Sequence, residues 1–137
     1  MKLPRLSGQS GFTILEIIIV VVILGLLAGI ATPIYVSLVE KPKQSEALLN
    51  MAAIRKAEFQ ALTEKGTFVN LEDTDEINRL MGLGVQEKFF SYKVIEATDS
   101  YFKIVATRLG EIAMDIAPIM ITMGPSGSFL SEYRRRR

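Results

Sequence analysis

The chain contains no histidine and no cysteine. That removes the commonest acid–base catalyst and metal ligand, and it forbids a disulfide. The chemistry left is that of carboxylates. Glu16 lies inside an apolar run. Glu72, Asp73, Asp75 and Glu76 cluster in a polar segment, and Asp115 stands alone among apolar residues. The cluster has the charge to hold calcium but lacks the loop-forming glycine of the well-known calcium motif. A solvated acidic loop is the expectation, and Asp115 reads as a turn acid. No glycine-rich phosphate loop, nucleophile–base pair or metal-ligand spacing occurs. No enzyme activity, cofactor or metal is expected. Arg134 to Arg137 form a like-charge block. It reads either as a solvated disordered tail or as a contact for anionic lipid headgroups or an acidic partner.

Glu16 is the acid that most needs an explanation. From Ile17 to Val39 there is no charge. Those ~23 residues make roughly 34 Å of helix, enough to cross a hydrocarbon core of about 30 Å. A carboxylate near a bilayer centre costs about 2.5–3.5 kcal/mol on insertion scales. Near a helix start it can instead snorkel to the interface and favour the positive helix end. Met1 to Gly11 precede the run and carry Lys2 and Arg5 without an acid. A secretory signal has a shorter apolar core and a cut after it. Here the run is too long, and the candidate cut precedes it. An uncleaved signal anchor is the plainer alternative. Lys2 and Arg5 on one side, against Lys41, Lys43 and Glu40 on the other, favour a cytoplasmic N-terminus.

Gly11-Phe12-Thr13-Ile14-Leu15-Glu16, the apolar run and Pro33 together resemble the N-terminus of type IV prepilins and type II secretion pseudopilins. The close resemblance covers roughly residues 8 to 35. It implies a prepilin peptidase that cuts between Gly11 and Phe12 and methylates the new Phe12 amine. It also implies that Glu16 meets the Phe12 amine of a neighbouring subunit during assembly, within a homo-oligomeric or mixed filament built by an inner-membrane assembly platform. Thr13, Gly25, Gly29 and Pro33 join Glu16 as expected assembly residues. Gly25 and Gly29 form a small-xxx-small pair that permits close helix approach in lipid. Pro33 removes one helical hydrogen bond and crowds the turn behind it, toward Gly29. The expectation is a kinked helix in a monomer, and partial melting of this span in a filament.

Beyond Val39 the polar stretch Glu40 to Glu46 contains Pro42, a second kink or a brief break. Ser45 to Lys65 reads as an amphipathic helix. Ala47, Leu48, Met51, Ile54, Ala61 and Leu62 share a face, and Phe59 borders it. Glu46, Asn50, Lys56 and Glu64 lie mostly opposite. Glu58 interrupts the stripe, and Gly66 stops the helix. The long helix therefore spans about Phe12 to Lys65, with a bend. A short helix is predicted over Glu76 to Met81, capped by Thr74 or Asp75 and stopped by Gly82. Strands are predicted over Phe89 to Ala97, Tyr101 to Arg108 and Pro118 to Met123. Turns fall at Thr98-Asp99-Ser100 and Gly124-Pro125-Ser126-Gly127.

The predicted fold class is α+β: a long bent N-terminal helix packed against a small antiparallel sheet of three or four strands. The expected organisation is a leader over 1–11, a transmembrane and assembly helix over 12–39, its amphipathic continuation over 40–66, a head over 67–133 and a basic tail over 134–137. Loss of the leader lowers the 16 basic residues to 14, against 15 acidic ones. A near-neutral chain has no field that argues for nucleic acid. Two functions compete. One is a filament subunit of a type IV pilus or type II pseudopilus, stored as a single pass in the bacterial inner membrane and then assembled in the periplasm or at the cell surface. The other is a membrane-anchored binding module that never polymerises.

Overall fold

A computed structural model describes residues 11–110 and 118–133. The leader residues 1–10, Asp115 and the block Arg134 to Arg137 lie outside the described residues. The element order is α1 (Ile14–Lys65), α2 (Thr74–Met81), β1 (Phe90–Ile95), β2 (Lys103–Arg108), β3 (Pro118–Met123) and β4 (Phe129–Tyr133). The chain divides into two compact units, residues 1–35 and 36–137.

In the first unit α1 begins two residues later than Phe12. Thr13 explains the start. Its Oγ1 accepts from the Glu16 amide at 3.2 Å, and its carbonyl accepts from the Ile17 amide at 3.2 Å. Thr13 is therefore the N-cap, and Phe12 lies outside the helix. The helix continues through Pro33 and Pro42. A proline forfeits one backbone hydrogen bond, and in a long helix the neighbouring turns carry the chain across the gap. No break occurs at Pro42. Immediately before Pro33, the Thr32 hydroxyl donates to the Ala28 carbonyl one turn back at 2.8 Å.

In the second unit α1 buries Glu40, Ala47, Met51, Ile54, Glu58 and Ala61. These fall at alternating spacings of four and three, with Gln44 filling the one gap, and so form a single continuous stripe. Glu58 does not interrupt the stripe; it belongs to it. Asn50 also departs from the solvent face. Its Nδ2 donates to Tyr92 Oη at 3.0 Å.

The sheet is an antiparallel meander in the order β1-β2-β3-β4. Its register places Val94 opposite Ile104 and Ile104 opposite Met123, and Ala106 between Tyr92 and Ile121. Those residues and Phe90 point to one face and are buried with Ala47, Met51 and Ile54 of α1. Each fully buried Ile, Phe or Met contributes about 1.5–3 kcal/mol, so this layer is what holds the head on its helix. Phe59, Phe68 and Phe102 pack edge to face at one end of it, with centroids 4.6–6.0 Å apart.

Local signals place the connections. Gly66 and Gly82 adopt positive φ and end α1 and α2. Asp73, not Thr74 or Asp75, caps α2. Its Oδ1 accepts from the Glu76 amide at 2.7 Å, while Glu76 reaches back to the Glu72 amide at 2.8 Å. That reciprocal pair is a capping box, shifted by one residue in its second bond. Two of the four clustered acids are therefore helix-cap groups. Among the described residues no group of acids is arranged to hold a metal ion. The fourth strand, Phe129–Tyr133, has no counterpart among the three strands predicted.

Candidate functional site

The N-terminal span is apolar and unburied. Every residue from Gly11 to Ile34 is exposed, with Leu26 at 66%. A single chain therefore leaves the whole surface of this helix to a solvent as apolar as itself, or to other helices. Glu16 lies in the first turn, where its charge favours the positive helix end. Thr13 and Glu16 stand at the spacing of a capping box, a signal present in the sequence that composition and hydropathy alone do not reveal. A side chain built at Gly25 or Gly29 would meet nothing within 4 Å. Their smallness serves no contact in this chain. Pro33 lies one turn beyond Gly29.

The head holds two further acids that sequence reasoning did not assign. Glu40 is the first charged residue after the apolar run. Its Oε1 meets Lys43 Nζ at 2.7 Å and its Oε2 meets Arg108 Nη1 at 2.7 Å. The Arg108 contact is off the N–H axis, so it is an ion pair rather than an aligned hydrogen bond. Distance sets the charge interaction, and 2.7 Å is close contact. Arg108 ends β2, is nearly buried, and lies over the Phe90 ring at 5.4 Å. Burial pushes the Glu40 carboxyl up. Arg108 and Lys43 outweigh it and leave the group below its ordinary value.

Glu58 is fully buried. Its Oε2 accepts from the Val69 amide at 2.9 Å. Its Oε1 has no hydrogen-bond partner among the described residues. Burial pushes this carboxyl up, and the Val69 amide and the charge of Lys65 oppose it only in part. Thr74 is the third buried polar residue. Its hydroxyl donates to Glu87 Oε1 at 2.6 Å and accepts from the Tyr92 amide at 3.0 Å, tying α2 to β1.

Arg55 secures the β3–β4 turn. Its Nε donates to the Pro125 carbonyl at 2.6 Å, and its guanidinium lies 3.5 Å from where a Cβ at Gly127 would stand. Gly127 has φ +81°, so this close approach and this backbone both ask for glycine. The far edge of the sheet is also tied. Leu71 and Val94 exchange backbone hydrogen bonds of 3.0 and 2.8 Å.

The residues expected to act, Gly11, Phe12, Thr13, Glu16, Gly25, Gly29 and Pro33, all lie on the exposed N-terminal span, strung along it rather than gathered at one point. With that geometry in hand, comparison with known proteins gives a consistent result. Residues 6–32 match the prokaryotic N-terminal methylation motif. The chain is 38% identical over 69 residues to the type IV major pilin protein PilA of Myxococcus xanthus, covering 50% of this chain and 31% of that one. It is 38% identical over 55 residues to the type II secretion system core protein G of Vibrio cholerae, covering 40% and 38%. It is 33% identical over 100 residues to the fimbrial protein EcpC of Eikenella corrodens, covering 72% and 62%. No solved structure matches. The chain spans between about a third and under two thirds of the length of these relatives. It carries the prepilin-type N-terminal methylation motif and is similar to type IV pilins and type II secretion pseudopilins. Its α+β architecture, a long apolar N-terminal helix and a four-stranded antiparallel sheet, is of the pilin kind.

Proposed function

We propose that the chain is a filament subunit of the type IV pilus or type II pseudopilus kind. In this reading prepilin peptidase cuts between Gly11 and Phe12 and methylates the Phe12 amine. The apolar helix then holds the subunit as a single pass in the inner membrane, N-terminus inward, until an assembly platform moves it into a filament. The observation that carries this reading is the match of residues 6–32 to the methylation motif, with every described residue of that stretch exposed and the span strongly apolar. Cleavage puts a positive amine on Phe12, about one helical turn from Glu16. In the filament the Glu16 carboxylate answers the Phe12 amine of a neighbour. Gly25 and Gly29 let helices approach, and Pro33 weakens the helix where it must adapt.

N-terminal mass analysis of the natural product is the test. The expected mature chain begins at methylated Phe12, and Glu16→Ala is expected to insert in membranes yet fail to enter filaments. A product retaining Met1, or normal filament yield from Glu16→Ala, points instead to an anchored module that does not polymerise by this pairing.

A further inference from the structure

Glu40 and Glu58 occupy the same stripe of α1, about 27 Å apart along the helix axis. Both face the sheet side of the second unit, and both are nearly or fully buried. Their surroundings are opposite in kind. Glu40 has a cation 2.7 Å from each oxygen, which favours the ionised form. Glu58 has one amide donor on one oxygen, nothing on the other, and no cation in contact among the described residues. A proton on Oε1 would leave Oε2 free to accept from Val69. A full charge there would have one N–H to offset its loss of water.

We propose that the head is fastened to α1 by two carboxylate latches that respond to pH in opposite senses: Glu40, ionised and clasped by Arg108 and Lys43, and Glu58, neutral and holding the Val69 amide. The groups facing Glu40 are Lys43 of its own helix and Arg108 of β2, with the uncharged Phe90 ring of β1 behind the guanidinium. The groups facing Glu58 are the Val69 amide and, from its own helix, the charge of Lys65. The segment Thr67 to Asn70 brings no ionisable side chain, and Phe59, Phe68 and Phe102 bring none. Arg55, one turn earlier, is committed to the Pro125 carbonyl.

The senses follow from linkage. The Glu58 latch is complete below the carboxylate range of an unfolded chain and is lost as pH rises through its raised folded value. The Glu40 latch is complete above that range and is lost as pH falls through its lowered folded value. Acid therefore loosens the end of the head near Arg108, whereas rising pH loosens the end near Val69 by charging a buried Glu58 whose lost water one amide bond does not offset. The inference stands on the head alone and does not depend on filament assembly.

The test uses the full chain in detergent micelles. Side-chain carboxyl carbons of Glu40 and Glu58 are titrated by NMR, and amide exchange is followed at Val69 and Leu109, whose amides donate to Glu58 and to Phe89. Glu58 is expected to titrate above the other glutamates and Glu40 below them. Protection at Val69, corrected for intrinsic exchange, is expected to fall by up to about tenfold per pH unit across the Glu58 titration. Protection at Leu109 is expected to fall only on the acid side. Glu58→Gln should leave Val69 protected with no pH slope, and Glu40→Gln should remove the acid-side slope at Leu109. Should a variant not fold, the carbon titration of the unaltered chain decides by itself. The two acids titrating together in the ordinary carboxylate range overturns the proposal. So does Val69 protection independent of pH, or the same slope in Glu58→Gln.

Discussion

Arg108 ends a strand, yet its guanidinium is buried between Glu40 and the Phe90 ring. Two buried charges in contact gain little over an apolar pair of the same size, but one of them alone is costly. Arg108→Met is therefore expected to destabilise the head by about 3 kcal/mol, because Lys43, partly exposed, is left as the one answer to Glu40. The double variant Glu40→Leu/Arg108→Met should recover most of that loss. Urea unfolding followed by circular dichroism checks both, and equal destabilisation of single and double variants would refute the coupling. Single residues were unevenly legible in the sequence. Glu16 stood out because an acid in an apolar run is anomalous by composition. Arg108 did not, because nothing local distinguishes an arginine at a strand end from a solvated one. Its partner lies on α1, far away in sequence. Glu58 was visible as a break in an apolar pattern, and the structure places it within the stripe, buried.

At the scale of elements, α1 was readable because its two halves obey different rules. One has no charge, and the other repeats at helical spacing. β3 was readable as an apolar run, and β2 from the alternation of Phe102, Ile104 and Ala106, all fully buried. β4 was not. Phe129, Leu130, Glu132 and Tyr133 are all exposed, so the strand has no buried face to impose a period on its sequence. The glycines of the apolar span give this scale its prediction. Because a side chain at Gly25 or Gly29 meets nothing in the single chain, Gly25→Leu/Gly29→Leu should leave the subunit inserted and at least as helical. If these glycines serve contact between subunits, the same change should sharply reduce filament yield. Circular dichroism in micelles and filament recovery are the two readings. Unchanged filaments would remove the glycines from the assembly surface.

At the scale of the whole molecule, the sequence suggests a boundary where charge first appears, between Val39 and Glu40. The compact unit that holds the sheet begins at Val36, four residues before that charge. The Glu40 clamp makes the first polar turn of α1 part of the head's own packing. The sequence contains no cysteine, so no disulfide can compensate for losing it. A soluble fragment that starts at Val36 keeps Glu40, Lys43 and Arg108 together. One that starts at Gln44 keeps Arg108 and the whole sheet but removes Glu40, the helix partner of that guanidinium, together with Lys43. Water then reaches Arg108, which softens the penalty without abolishing it. The shorter fragment is expected to unfold about 1–3 kcal/mol more easily in urea. Replacing Arg108 by methionine should narrow or reverse the gap between the two fragments, since the longer one then keeps buried Glu40 with Lys43 alone while the shorter one loses its unpaired charge. Equal stability of the two fragments, each with Arg108 in place, would mean that the head ends after the clamp and that the first polar turn of α1 belongs to the apolar span alone.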